Sequence, residues 1–127
     1  MKHRTPITIR FRDLDAMNHV NNAVFITYVE QGRIGYFRKV IGCNHDWSKF
    51  GTLLAHTSID YLHPILLDDE LYCDVEIVKI GEKSIDVHFE LVVVSDKGSK
   101  LCAKGKNVLV CFDNVKMSTA LGAEQWR

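Results

Sequence analysis

The sequence lacks the long apolar runs and the charge excess that mark several classes of protein. No stretch approaches the roughly 18 consecutive apolar residues of a membrane span, and no apolar segment follows the opening "MKHR" as it would in a signal peptide. Lysine and arginine together number 16, and so do aspartate and glutamate. No net electrostatic field therefore favours binding to DNA or to a membrane surface. We expect a cytoplasmic protein, complete as written, with no nucleic-acid or membrane partner.

Paired cysteines are also missing. The sequence has four isolated cysteines, Cys43, Cys73, Cys102 and Cys111. Without a CxxC pair they do not match a zinc site, and most lie in apolar runs where a reduced thiol packs as a small hydrophobe. His56 and His63, seven positions apart, would face opposite sides of a strand. We expect no metal and no cofactor.

The length and the apolar content indicate a single domain that spans residues 1–127. With 127 residues, of which 46% are hydrophobic, the chain can build one core but not two. The alternation in Ile7–Phe11 predicts a first strand. The run "AVFITYVEQGRIGYFRKVIG" has apolar residues at helical spacing and predicts one enclosed helix, with Asn21 or Asn22 as its N-cap and Gly42 at its end. Gly32 and Gly35 inside this helix indicate close approach of a neighbour.

From Leu53 onward, apolar residues recur at every second position. Four strands are predicted in "LLAHTSIDYLHPIL", "LYCDVEI", "SIDVHFELV" and residues 101–112, with short turns at "GEK" and "SDKGSK". The residues after Asp113 show little pattern, and we expect them to be loose. One strand, one helix and four more strands favour an α+β fold in which an antiparallel meander packs on the helix. A single helix covers one face of a sheet, so the other face or an edge is expected to bind a second copy in at least a homodimer.

The segment "DLDAMNHVNNAVF", residues 13–25, collects polar groups where the helix begins. These residues are typical of caps and turns, so Asp13 and Asp15 can simply shape the connection. In the functional interpretation, the helix start and the carboxylate of Asp15 act together in one site. A helix start offers unpaired N–H groups and a positive dipole end that suit an oxyanion. Asp15 would supply a carboxylate that attacks a thioester carbonyl or takes a proton from water. The sequence has no GxSxG nucleophile elbow.

The longer stretch "RFRDLDAMNHVNNAVFITYVEQGR" resembles the signature of the hotdog-fold acyl-CoA thioesterases of the 4-hydroxybenzoyl-CoA thioesterase type. In that family an Asp-x-Asp segment runs through a His-Val-Asn-Asn element into the central helix. The later "IDYLHPILLDDEL" is similar to the family's second strand and acidic turn. The resemblance covers nearly the whole chain. It implies a hotdog fold, an antiparallel sheet wrapped around one central helix, in a homodimer or homotetramer that hydrolyses acyl-CoA to free acid and CoA.

The resemblance also assigns roles. It makes Asp15 the catalytic carboxylate and places the main-chain N–H of Asn22 at the thioester oxygen. His19 and Asn21 match residues that shape the loop and border the substrate pocket. For His19, the sequence supports two roles equally, one in which it fixes the loop and one in which it acts directly in the site. Glu30 matches the carboxylate of another branch of the fold, but because Asp15 is present we interpret Glu30 as a dimer-contact or solvated residue.

Several alternatives remain open from the sequence. Four aromatic residues border the pocket or belong to the core, namely Phe25, Tyr28, Phe50 and Tyr61, and Phe25 is taken as a substrate-binding residue. Lys104, Lys106 and Arg33 are candidate contacts for the CoA phosphates. A solvent-exposed face accounts for these basic residues at least as well. A non-hydrolytic binder of acyl-CoA or acyl carrier protein is the alternative function. Dehydratases and isomerases of this fold use a His-Asp or His-Glu pair that the segment does not resemble.

Overall fold

One α-helix lies along one face of a single antiparallel sheet in the described part of the chain. The computed structural model describes residues 2–40, 50–113 and 118–119. The elements are, in chain order, β1 (Lys2–Ile7), α1 (Asn22–Val40), β2 (Phe50–Tyr61), β3 (Glu70–Ile80), β4 (Ser84–Ser95), β5 (Gly98–Asp113) and β6 (Ser118–Thr119). The strands follow the order β1-β3-β4-β5-β2, and β6 pairs with β5. This arrangement confirms the predicted α+β class, with an antiparallel sheet wrapped around one helix.

The first strand begins earlier than the sequence predicted. β1 covers Lys2–Ile7 and pairs with β3, with Ile7 opposite Leu71. The prediction of Ile7–Phe11 was therefore wrong for most of its length, since the chain leaves the strand after Ile7 and enters a 3-10 turn at Phe11–Asp13. The Asp13 carboxylate accepts the Arg10 N–H at 3.0 Å and closes this turn. Alternation in a short segment does not distinguish a strand from a turn closed by a side chain.

The helix begins where the sequence predicts, but only one side of it is buried in the described structure, so the predicted enclosure is wrong for the other side. It begins at Asn22 and is described to Val40, whereas Gly42, the predicted C-terminal glycine, lies outside the described residues. The side-chain Oδ1 of Asn21 accepts the N–H of Ala23 at 2.9 Å, and the main-chain oxygen of Asn21 accepts the N–H of Val24 at 2.9 Å. Asn21 is thus the N-cap, as this residue type favours, and Asn22 is the first helical residue.

Two glycines let the helix approach the sheet closely. A Cβ at Gly32 would lie 2.8 Å from the Cβ of Cys73, and one at Gly35 would lie 3.1 Å from Cγ2 of Thr5. Both separations are shorter than ordinary van der Waals contact. The predicted close approach is confirmed, and it fixes the helix over β1 and β3.

The inner face of the sheet, defined as the face against α1, holds the core. The predicted apolar face of β4 is buried, as are the first three of the four predicted positions on β3, and the fourth, Ile77, is partly buried. The three cysteines in the described residues are buried too, and burial raises the pKa of Cys73 to about 12. Cys43 lies outside the described residues. The alternation therefore predicted the correct face for these strands.

The predicted four-strand meander is correct for three strands only. β3, β4 and β5 pair in succession, but β2 pairs with β5 at the far edge instead of with β3. β2 also ends at Tyr61 rather than near Pro64. The segment that follows contains Pro64, which has no N–H for a ladder, and its Ile65 accepts the N–H of Val20 at 2.8 Å. These contacts take the chain away from β5 before it enters β3.

The outer face and the β2 edge differ in polarity. The outer face carries a groove of about 450 Å³ with charged residues of both signs in its lining, including Lys2, Asp74, Glu90 and Lys104. Along β2, two adjacent apolar side chains are open to solvent, with Leu53 50% exposed and Leu54 44% exposed. Of the outer face and the sheet edge, both predicted as possible partner surfaces, the β2 edge is the one that carries this apolar pair.

A buried carboxylate anchors the loop that precedes α1. Asp13 is only 3% exposed. Its Oδ2 accepts the Tyr28 hydroxyl at 2.6 Å, and its Oδ1 accepts Nη2 of Arg10 at 3.2 Å. Burial alone would raise the pKa of Asp13, but its hydrogen bonds with Tyr28 and Arg10 together outweigh burial and hold the pKa below its ordinary value. The ionised carboxylate is therefore the form that the fold favours.

Replacing Tyr28 by phenylalanine tests this anchor. The substitution removes a hydrogen bond to a buried charge, so the free energy of unfolding at neutral pH should fall by about 1.5–3 kcal/mol. A carboxylate with a lowered pKa stabilises the fold above its ordinary pKa of 3.8, and this contribution is lost as the pH falls below that value. The difference between wild type and Tyr28→Phe, measured by urea unfolding, should therefore shrink in acid.

Tyr36→Phe is the matched control, since Tyr36 is also buried on α1 and makes no hydrogen bond to a carboxylate among the described residues. Its effect should be small and independent of pH. Equal losses in the two variants at every pH would contradict the anchoring role of Asp13.

Candidate active site

Asp15 lies in a tight turn between the 3-10 turn and the helix. Its Oδ1 accepts the N–H groups of Met17 at 2.9 Å and His19 at 3.2 Å. Its main-chain N–H donates to the oxygen of His19 at 2.8 Å. Asn18 has a φ of 62°, a left-handed conformation that asparagine tolerates. Asp15 is exposed, and its Oδ2 accepts no hydrogen bond from the described residues. The carboxylate is thus fixed through one oxygen and open at the other.

The helix start presents an unused main-chain donor. The cap of Asn21 accepts the N–H groups of Ala23 and Val24. The N–H of Asn22 donates to no acceptor within the described residues, and Asn22 is exposed. Because this N–H points out of the first helical turn, it adds to the positive end of the helix dipole. Such a donor suits a developing oxyanion.

A cavity of about 210 Å³ opens at this helix start. It is lined by Val20, Asn22, Phe25, Tyr61, Leu62, His63 and Pro64. The Phe25 ring is 1% exposed and lies 5.2 Å from the Tyr61 ring in an edge contact. The Tyr61 hydroxyl donates to the main-chain oxygen of Asn22 at 3.2 Å. Phe25 therefore belongs to the core and also borders this cavity.

The remaining predicted residues have distinct places. His19 is half-buried, and its main chain pairs with Asp15 on one side and bridges to Leu66 on the other. These main-chain contacts agree with loop fixing. Asp15 and His19 lie in the turn that leads into the helix and are not among the residues that line the cavity. Glu30 is exposed, which agrees with the solvated interpretation.

His63 is a cavity residue that the sequence reasoning missed. It was considered only as a metal ligand with His56. The available signal was its place in the stretch "YLHP", immediately after β2 and within the second family-like motif. Tyr28, by contrast, belongs to the core, and the side chain of Phe50 lies outside the described residues.

The described residues contain neither a metal-binding cluster nor a helix fit to span a membrane. No group of three or more histidine, cysteine, aspartate or glutamate side chains in residues 2–40, 50–113 and 118–119 is arranged to hold a metal ion. Within the same ranges, α1 does not combine the length and the apolar character that crossing a bilayer requires.

Comparison with known proteins places the chain in a family. The model of the Thioesterase-like superfamily matches residues 9–121. A thioesterase from Thermus thermophilus, solved in complex with coenzyme A and Zn, is 36% identical and superposes with a TM-score of 0.78 over 98% of this chain and 90% of that chain.

Two further relatives are more distant. The uncharacterized protein YsmA of Bacillus subtilis strain 168 is 29% identical over 83 residues, which is 65% of this chain and 56% of YsmA. A 1,4-dihydroxy-2-naphthoyl-CoA thioesterase from Synechocystis is 16% identical, with a TM-score of 0.85 over 99% of this chain and 93% of that chain. At that identity the likeness shows the fold alone. The strand order around one helix, the superpositions and the family match agree, and the chain belongs to the thioesterase-like superfamily of hotdog-fold proteins.

Proposed function

We propose that the protein hydrolyses acyl-CoA thioesters to free acid and CoA. Asp15 is the nucleophile or general base, and the main-chain N–H of Asn22 is the oxyanion donor. The observation that carries the proposal is the unused N–H of Asn22, which begins a helix, borders a cavity and follows directly on the turn of Asp15. The Thermus thermophilus thioesterase that this chain resembles was solved with coenzyme A, which supports a CoA thioester as the substrate.

The arrangement suits attack on a thioester carbonyl. As the carbonyl carbon is attacked, its oxygen gains negative charge, and the Asn22 N–H with the helix dipole stabilises that charge. In one route Asp15 attacks, the bond to sulfur breaks, the CoA thiolate leaves and takes a proton, and water then hydrolyses the anhydride. In the other route Asp15 removes a proton from the attacking water. Both routes consume one water and release acid and thiol.

Asp15 is prepared for either route by its surroundings. Hydrogen bonds from Met17 and His19 hold Oδ1 and orient the carboxylate. Oδ2 remains open to water or substrate. These same hydrogen bonds also fit a purely structural turn, and for this reason a non-hydrolytic binder of acyl-CoA or acyl carrier protein is the second candidate function.

Asp15→Asn separates these two functions. Asparagine keeps the acceptor oxygen for Met17 and His19, so the turn should persist while the carboxylate is lost. We expect thiol release from short, long and aromatic acyl-CoAs to fall about 10²- to 10⁴-fold, with unchanged thermal unfolding.

The matched control for this experiment is Asp69→Asn. Asp69 is half-buried and likewise accepts a main-chain N–H, that of Leu66, at 2.8 Å, but it has no role in the proposed chemistry. It should retain full turnover. An Asp15→Asn protein as fast as wild type would refute the mechanism, and binding of intact ligand without turnover in both wild type and Asp15→Asn would favour the binder.

Substitution of Asn22 tests the main-chain donor. Proline is tolerated at the first helical position, where its missing N–H removes no helical hydrogen bond. Asn22→Pro should therefore fold but lose about 10²- to 10³-fold in kcat, as expected for loss of one oxyanion donor. Asn22→Ala, which changes the side chain and keeps the N–H, should remain within a few-fold of wild type. Equal activities of the two variants would exclude the Asn22 N–H as oxyanion donor.

We also infer a homodimer formed along β2. β2 is a 12-residue strand at the edge of the described sheet, and its unpaired main chain lies beside exposed Leu53 and Leu54. Such an edge favours pairing with a second copy. The cavity at Tyr61 lies at the end of the same strand, so the partner would lie close to each site.

Leu54→Glu should weaken this dimer and shift the sedimentation coefficient toward that of the monomer, because it places a charge in the apolar edge. Thiol release should fall with it. Val78→Glu is the control, since Val78 is equally exposed, at 44%, but lies on β3 inside the sheet. A fully active wild-type monomer would contradict this assembly.

A further inference from the structure

A polar pair, Asn107 and Thr57, continues a row of apolar side chains on the inner face of the sheet. Asn107 on β5 is directly opposite Val87 on β4 and Thr57 on β2, and the row continues to Ile77 on β3. Asn107 is 0% exposed. A leucine would fill a similar volume without any polar group to satisfy. A buried amide at this position therefore calls for an explanation.

Half of the hydrogen-bonding capacity of this amide is unused. Its Oδ1 accepts the Thr57 hydroxyl at 3.0 Å. Its Nδ2, which carries two N–H donors, has no partner among the described residues. The Thr57 hydroxyl thus satisfies the carbonyl end of the amide, and the NH₂ end remains without an acceptor. An unsatisfied buried donor lowers stability, and a bound acceptor would offset that loss.

Strand β2 connects this amide to the proposed reaction centre. Thr57, Ile59 and Tyr61 share the inner face, because they alternate along the strand and Thr57 is opposite Asn107. Tyr61 lines the cavity at Asn22. Four residues of strand span about 13 Å. The Thr57 and Asn107 pair therefore lies about that far along β2 from the helix start.

The helix leaves this part of the inner face available. α1 packs mainly against β1 and β3, to which Gly32 and Gly35 hold it closely. The inner face near β2 is only partly covered, since Thr57 and Ile59 are half-buried. An acyl chain that begins at the Asn22 N–H can therefore extend along β2 over Ile59 and Thr57, and to reach Asn107, which is fully buried, it must displace the groups that cover the amide.

We propose that Asn107 is a specificity-determining residue of the acyl pocket, whose NH₂ group donates to an oxygen of the acyl chain remote from the thioester. The preferred substrates are then acyl groups with a hydroxyl or oxo oxygen roughly 13 Å from the reacting carbonyl. This inference rests on the proposed function and adds a substrate class to it.

The test compares plain acyl chains with their oxygenated forms. Thiol release is measured for hexanoyl-, octanoyl-, decanoyl- and lauroyl-CoA beside the ω-hydroxy form of each. Binding of the corresponding CoA thioethers, which cannot be hydrolysed, is measured by calorimetry. At one chain length the ω-hydroxy form should be preferred about tenfold in kcat/KM and in affinity, the size of one net hydrogen bond. Asn107→Leu should lose that preference, which is compared as the ratio of the two forms at each chain length.

The two readouts distinguish failure of this inference from failure of hydrolysis. Tighter binding of an ω-hydroxy thioether without any thiol release would support the role of Asn107 and reject the proposed hydrolysis. Equal kcat/KM and equal affinity for both forms at every length would overturn the role of Asn107, as would an Asn107→Leu protein that keeps the preference. If Asn107→Leu does not fold, the comparison of the two chain types on the wild type decides.

Discussion

The buried carboxylate of Asp13 is the constraint on which the candidate site depends. It accepts hydrogen bonds from Arg10 and from the Tyr28 hydroxyl, and the main-chain oxygen of Asp13 accepts the N–H of Asn21. These contacts join residues that precede the turn of Asp15 to residues that follow it. The spatial relation between Asp15 and the helix start is therefore set by the buried hydrogen bond from Tyr28 on α1 and by the main-chain hydrogen bond from Asn21, and the exposed loop residues have little freedom to change it. A functional loop held by a rigid scaffold is the usual way to keep reacting groups in register.

Two aspartates of one short motif take different roles because their surroundings differ. Asp13 is buried and both of its carboxylate oxygens accept hydrogen bonds, so it has no oxygen left for a substrate. Asp15 is exposed and is held through Oδ1 alone. The same turn chemistry that makes Asp15 rigid leaves Oδ2 open. The pattern Asp-x-Asp does not contain this difference, since it depends on whether Tyr28 reaches the first or the second carboxylate.

The parts of the fold that the sequence predicted are those governed by local rules. Helical spacing and an asparagine cap located α1, and Gly32 and Gly35 correctly indicated close approach to the sheet. Alternation also identified the inner faces of β3 and β4, but it carries no information about which strands pair, so the position of β2 beside β5 was missed. Within the site, the motif indicated the loop and the helix start. The cavity wall at His63 comes from a segment about 40 positions later, and no local pattern links the two.

The close approach of α1 also determines where a substrate can lie. With Gly32 against Cys73, the helix is committed to the side of the sheet that contains β1 and β3. It cannot at the same time cover the inner face near β2, because one helix spans about 10 Å across a sheet while neighbouring strands lie about 4.8 Å apart. Five paired strands are wider than that. The strip along β2 contains the exposed apolar edge at Leu54, and the buried amide of Asn107 lies beneath it on β5. Packing of the helix by two glycines thus leaves a partly apolar strip that begins at the helix start and runs past one buried hydrogen-bond donor.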